Sequence, residues 1–238
     1  MIEYAGTVCT NLNLQVKDLI NIPCPEDDLE TIEIPGRDGA LVKDKKRKKP
    51  IQIEINFNYI APKEKWHETW RRAKKWLLQK NQKLILDDDS DHYYRCLYAV
   101  IGINERASLR IGGFTATFVC DPYQYLNSGD MPLELMYENI SAGQSVHIWN
   151  PYEASMPIFV IAGSGTCRLT INGNILEADV PEKLTIDTGR ELAYKADRSS
   201  ANTNVACDYE DLALIPGDNT IIKPAGFDLQ VLPKWRET

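Results

Sequence analysis

Asp87-Asp88-Asp89-Ser90-Asp91 brings four carboxylates into five residues, and calcium is the ion such hard oxygen ligands would hold. A calcium loop of the helix–loop–helix kind needs Gly at its sixth position and Glu at its twelfth. Counted from Asp87, those positions hold His92 and Tyr98, so the run is expected to be a polar connection between strands. The cysteines Cys9, Cys24, Cys96, Cys120, Cys167 and Cys207 form no C-x-x-C pair, and the three histidines, His67, His92 and His147, add no cluster to them. Zinc needs closely spaced ligands. The thiols are therefore expected to be small buried hydrophobes, and neither a metal nor a cofactor is expected. A G-x-S-x-G nucleophile elbow is absent, and no Gly-rich phosphate loop precedes a helix. Gly163-Ser164-Gly165 opens a G-x-G, but Arg168 stands where a third glycine belongs and strand-like sequence surrounds it. Glu177, Asp179 and Glu191 could enter a glycosidase pair, yet no spacing singles out two of them. No catalytic residue is assigned, and the chain is expected not to be an enzyme.

Two stretches carry dense positive charge. Lys43–Lys49, KDKKRKK, fits either a nucleic-acid patch or a solvated hairpin arm whose lysines block unwanted edge pairing; the strands on either side favour the arm. Ala61–Lys80 combines tryptophans with lysines and arginines. Its tryptophans could stack on bases, but Trp66, Trp70, Ala73 and Leu77 recur at helical spacing, as core residues do, with Trp76 beside the stripe. A net charge of −7 argues against nucleic-acid binding as the main task, because phosphate contact needs a basic footprint.

The elements that would position these groups are mostly strands. Of the 238 residues, 43% are hydrophobic, enough for a real core, and no apolar run approaches the ~18 residues of a membrane span. The N-terminal segment lacks the pattern of a secretory signal, so synthesis in a cytoplasm is expected. Leu29–Ile34 and the residues after Leu41 alternate around Pro35-Gly36-Arg37-Asp38-Gly39, a β-hairpin corner in which Pro presets φ and Gly permits positive φ. Pro50–Tyr59 alternates strictly and is expected to be a half-buried strand. Lys83–Leu86, His92–Val100 and Gly113–Cys120 follow as strands, with Pro122 ending the last. Asn127–Asp130 is the expected boundary between domains 1–128 and 129–238. Beyond it short strands recur at Met131–Tyr137, Ser145–Trp149, Pro157–Ala162, Cys167–Ile171, Ile175–Val180, Lys183–Asp187, Leu192–Lys195, Leu212–Leu214 and Thr220–Lys223. Asn172-Gly173 is a strong two-residue hairpin turn, and the pattern is that of a sandwich or jelly roll. Leu229–Trp235 is expected to add a strand, returning to the first domain. The fold class is thus mainly β, with one amphipathic helix in an α+β first domain.

Several segments together resemble the distal tail (Dit) family of long-tailed bacteriophages and prophages of Gram-positive bacteria. They are IPGRDG (Ile34–Gly39), the helix WHETWRRAKKWL (Trp66–Leu77), FVCDPYQY (Phe118–Tyr125), NPYEASMPIFVIAGSGTCRLTING (Asn150–Gly173) and LIPGDNTI (Leu214–Ile221). Pro151 stands where the family often has glycine. The resemblance implies a β-rich ring-forming domain followed by a galectin-like β-sandwich. It implies a baseplate hub at the virion tail tip: a homo-hexameric ring joining the tail tube protein to the tail-associated fibre or lysin protein, with tape measure protein as a further neighbour and a channel left for DNA. Sequence-specific nucleic-acid binding and membrane insertion are not expected. The candidate interface residues are Ile34, Pro35, Gly36, Arg37, Asp38, Gly39, Lys45, Lys46, Arg47 and Lys48. The alternative is a carbohydrate-binding module for host cell-wall sugar. His147-Ile148-Trp149-Asn150-Pro151 is a weak match to the sugar-binding strand of galectins, with different spacing and no Arg.

Overall fold

In a computed structural model the described residues are 1–36, 38–134, 145–222 and 225–238. They fall into two compact units, Met1–Gln124 with Thr238, and Tyr125–Glu237.

The first unit contains β1 (Ile2–Tyr4), β2 (Thr7–Val8), β3 (Leu14–Val16), β4 (Asp27–Glu33), β5 (Ala40–Lys48), β6 (Ile51–Ile60), α1 (Trp66–Leu77), β7 (Gln82–Leu86), β8 (Asp89–Ile101), β9 (Glu105–Arg106) and most of β10 (Ile111–Leu126). The main sheet runs β2-β1-β7-β8-β10-β6-β3, with β9 also on β10. Alternation decides which side faces in: Ile51, Ile53, Ile55, Phe57 and Tyr59 of β6 are all buried, and the residues between them are not. They pack with Phe114 and Phe118 of β10 and with Trp66, Ala73, Trp76 and Leu77 of α1. The Trp76 indole N–H donates to the Tyr4 carbonyl at 2.8 Å, and the Tyr4 ring meets Trp76 and Phe118 edge-on at 5.7 and 5.2 Å. Gly112 is required by the close pass of β10 over Tyr59, since a Cβ there would lie 2.4 Å from the ring.

The second unit holds β11 (Leu133–Glu134), β12 (Ser145–Asn150), β13 (Ile158–Ala162), β14 (Gly165–Ile171), β15 (Asn174–Val180), β16 (Lys183–Asp187), β17 (Leu192–Lys195), β18 (Val205–Ala206), β19 (Gly217–Ile222), β20 (Asp228–Leu232) and β21 (Arg236–Glu237). One sheet is β11-β20-β13-β16-β17 and the other β12-β19-β14-β15-β18. Phe159, Leu184 and Val231 of the first share a core with Leu169, Leu176 and Ile221 of the second, which makes the unit a β-sandwich. The Asn172-Gly173 turn is as expected: both residues have positive φ, 52° and 87°, and Ile171 pairs with Asn174 across them.

Several boundaries differ from expectation. The helix is shorter than Ala61–Lys80, because Lys63–Lys65 forms a 3-10 turn before it. Trp76 is buried, at 4% exposure, whereas Trp70 only partly packs against the core; the stripe lies one residue round from where periodicity alone set it. Pro122 does not end its strand. The pairing of β10 with β6 stops at Cys120, so on that side the missing N–H at Pro122 costs no ladder bond. Asp87 and Asp88 form a two-residue turn, since Leu86 pairs with Asp89, but Asp89–Asp91 belong to β8. In place of a strand Leu212–Leu214 there is the end of a 3-10 turn, Glu210–Leu212, followed by a single bridge of Ser155 to Leu214. β19 begins at Gly217, earlier than the expected Thr220. Of the tail, Leu229–Leu232 lies in a sheet of the sandwich. The expected strand Met131–Tyr137 is observed as Leu133–Glu134, its remaining part lying outside the described residues.

Candidate assembly interface

β4 and β5 form a sheet of their own and present almost every side chain to solvent. Their register sets Ile32 opposite Leu41, Thr31 opposite Val42 and Glu30 opposite Lys43. Apolar side chains stay exposed on both faces of this ribbon, Ile32, Ile34 and Leu41 on one and Leu29 and Val42 on the other, at 38–57% exposure. Gly36 and Gly39 both take φ of 82° at the corner, where a Cβ would be strained. Pro35 and Asp38 complete that corner, and Arg37 lies outside the described residues.

Charge organises the other end of the arm. Asp27 pairs with Lys48 and Leu29 with Asp44 in the register, so Asp28 faces Lys45, Lys46 and Arg47 across an irregular step. Lys46 sits at φ 55° and donates its N–H to the Asp44 carboxylate at 2.7 Å. Asp28 accepts from Arg47 at 2.7 Å and from Lys45 at 3.4 Å. Lys48 lies 3.6 Å from Asp27 and Lys49 lies 3.2 Å from Glu26. The Arg47 guanidinium, with Lys45 beside it, holds the Asp28 carboxyl below its ordinary range. Glu26–Asp28 thus pair with Lys45, Arg47, Lys48 and Lys49 of the basic run. These acids lie just before the expected strand Leu29–Ile34, and a block of acids one hairpin away from a block of bases is the signal of the pairing.

The other candidate groups are dispersed. Trp66 and Trp76 are buried in the core, and Arg106 stacks on Trp66 at 4.5 Å. Glu177 is held by Arg168 at 3.5 Å, and Glu191 occupies a left-handed position at φ 54°. Four cysteines are buried as expected; Cys207 is half-buried and Cys24 is exposed. No group of three or more metal-ligating side chains assembles among the described residues, and none of their helices is long and apolar enough to cross a membrane. On the edge strand β12, Trp149 is 68% exposed, and beside it His147 Nδ1 lies 2.8 Å from Asp218 Oδ2. Asn150 of the same motif is structural: buried, it donates to the carbonyls of Glu153 and Leu214.

Residues 8–120 match the family model of the phage tail protein RIFT-related domain. No curated protein matches the chain. Among solved structures, the chain is similar to SPP1 Dit (gp 19.1), described as a paradigm of hub adsorption apparatus in Gram-positive infecting phages. The TM-score is 0.66 at 12% identity, over 99% of this chain and 97% of that one. Residues 8–120 thus resemble the phage tail RIFT-related domain, and the fold of the whole chain is a Dit fold.

Proposed function

We propose that this phage tail protein of Dit fold works as a tail-tip hub, a hexameric ring built by contacts between copies of the chain. The carrying observation is the arm β4–β5, a ribbon with five half-exposed aliphatic side chains and no further strand paired to it among the described residues. Covering them would contribute about 1 kcal/mol each, and exposed ribbons of this kind commonly add to a neighbouring chain. The interface residues are Ile34, Pro35, Gly36, Arg37, Asp38, Gly39, Lys45, Lys46, Arg47 and Lys48. Such a ring would dock the tail tube protein on one side and the tail-associated fibre or lysin protein on the other, with tape measure protein nearby. Copies carrying −7 each would repel DNA passing through a central channel rather than hold it. The role is structural, not catalytic, and the place is the virion tail tip. Light scattering and negative-stain microscopy of the purified chain over a concentration series test this: rings near six times 27.0 kDa are expected. A monomer at every concentration, with no ring in purified virions, would refute it.

A second reading is favoured by the edge of the sandwich. Trp149 offers an exposed aromatic plane, and the His147–Asp218 pair beside it offers polar atoms to sugar hydroxyls. Binding of cell-wall glycan that disappears in Trp149→Ala is the expected sign; silence on a glycan array rejects it.

A further inference from the structure

We infer that Cys96 and Cys120 form a peroxide-reactive dithiol, a modification site that closes to a disulfide and fastens β8 to β10 inside the main sheet. The two strands are sheet neighbours. At one end of their contact the Gly102 N–H donates to the Thr115 carbonyl at 2.8 Å. Towards the other end Arg95 Nε lies 2.7 Å from Asp121 Oδ2. The contact steps back along β8 as it steps forward along β10, so the pair is antiparallel. Arg95 and Asp121 oppose each other, and the adjoining residues, Cys96 and Cys120, therefore oppose each other on the other side of the sheet, the side that carries the core. Seven positions of β8 face six of β10 between the two contacts. The extra residue falls between Cys96 and Ala99, where the alternation of buried side chains slips, and leaves the cysteine pair in register. Directly opposed residues of an antiparallel pair have Cα atoms about 4.5–5.5 Å apart. A disulfide spans about 4.4–6.8 Å, so the bond closes without moving either strand.

The surroundings divide the work between the two thiols. Both are fully buried. Cys96 donates to the Tyr98 carbonyl at 3.3 Å and Cys120 to the Phe118 carbonyl at 3.8 Å. The Cys120 thiol does most to hold Cys96 below the usual thiol range; burial opposes it, and the Tyr4 hydroxyl adds to it. Cys120 is pushed above its own range, first by Cys96 and then by burial. Cys96 thus supplies the thiolate, the reactive form, and Cys120 keeps its proton. The Cys96 thiolate attacks one oxygen of the peroxide, the O–O bond breaks, and hydroxide leaves, giving a sulfenic acid. The Cys120 sulfur then attacks the Cys96 sulfur and expels the sulfenic oxygen, which leaves with the Cys120 proton as water. Two electrons pass from the thiol pair to the peroxide, which ends as water. A small peroxide suits thiols with no exposed surface, where a bulky disulfide reagent finds no room. A phage tail component is made where thiols stay reduced and works outside the cell, where disulfides persist.

The test uses the full chain, fully reduced and then treated with dilute hydrogen peroxide in native buffer. Remaining thiols are alkylated and the digest is read by mass spectrometry. A peptide joining Cys96 to Cys120, lighter than its two parts by two hydrogens, is expected, and a dithiol reductant should abolish it. The oxidised chain should melt about 5 °C higher than the reduced one, because the crosslink restrains the unfolded chain. Cys24→Ser removes an exposed thiol that could join two copies and should change neither result. Cys120→Ala should lose the crosslink and the rise in melting, and its Cys96 should be trapped as sulfenic acid by a cyclic dione. Should that variant fail to fold, Cys96→Ala replaces it, and Cys120 should then stay unlabelled by the dione. Peroxide that oxidises Cys24 alone, or that takes Cys96 to sulfinic acid with no crosslink, overturns the dithiol. A crosslink that lowers the melting temperature overturns its role as a fastening. Every readout holds for a single copy, so none of them depends on the ring.

Discussion

Two hairpins in this molecule follow the same local rules and meet opposite fates. β14–β15 turns at Asn172-Gly173 and buries Cys167, Leu169, Ile171, Leu176, Ala178 and Val180. β4–β5 turns at Pro35–Gly39 and buries almost nothing along its strands. Both carry alternating apolar residues, so alternation alone does not say whether a face is covered. The difference lies in what surrounds them. β14 and β15 have β19 and β18 as sheet neighbours and a second sheet behind, whereas among the described residues β4 and β5 pair only with each other. Aliphatic side chains left exposed on both faces among the described residues are best explained by a cover from outside the chain.

The comparison can be broken in several ways. The largest effect is expected from Leu169→Ala, which should cost about 2–5 kcal/mol by opening a cavity, read by denaturant unfolding of the full chain. Asn219→Ala should come next, at about 1–3 kcal/mol. Its buried amide donates to the carbonyls of Ile215, Gly217 and Ile148, and its oxygen accepts from Ile215 and Asn172. Val42→Ala in the arm should change unfolding by no more than about 0.5 kcal/mol while weakening self-association. A core-sized loss there would mean that the arm is part of the fold. The smallest effect concerns acid. Because the Asp28 carboxyl is held below its ordinary range, its hold on Arg47 is complete above that range and fades only as pH falls through the lowered value. Backbone amide exchange in Lys45–Lys48 should therefore be flat from pH 7 down to about 4 after correction for intrinsic rates, and speed up only below that. Asp28→Asn should show the faster exchange already at pH 7.

How much of this was legible follows from where each signal resides. The strand β6, the Asn172-Gly173 turn and the existence of the helix are local: their residues state their own period or turn geometry. Trp76 and Trp70 were ranked wrongly because which side of a helix is deepest depends on the sheet it meets, here on the Tyr4 carbonyl that accepts from Trp76. Pro122 reads locally as a stop because its neighbours across the sheet are set far away in the chain. Lys45–Lys48 were correctly placed on a hairpin, but their partners Glu26–Asp28 were not, since that pairing follows from a register shift. Asn150 and Asn219 read as motif residues and prove to be internal pins for turns, a role that needs several distant carbonyls at once.

The offset near Lys46, where three residues of one strand face the single residue Asp28, also bears on life before assembly. A flat apolar ribbon invites identical ribbons to stack on it without limit, as in fibril growth. A bulge bends the ribbon and interrupts its row of backbone bonds, and charged side chains along the margin discourage further stacking. Subunits accumulating at high concentration before tails are built would thereby stay dispersed, available to a shaped surface and refractory to indiscriminate clumping.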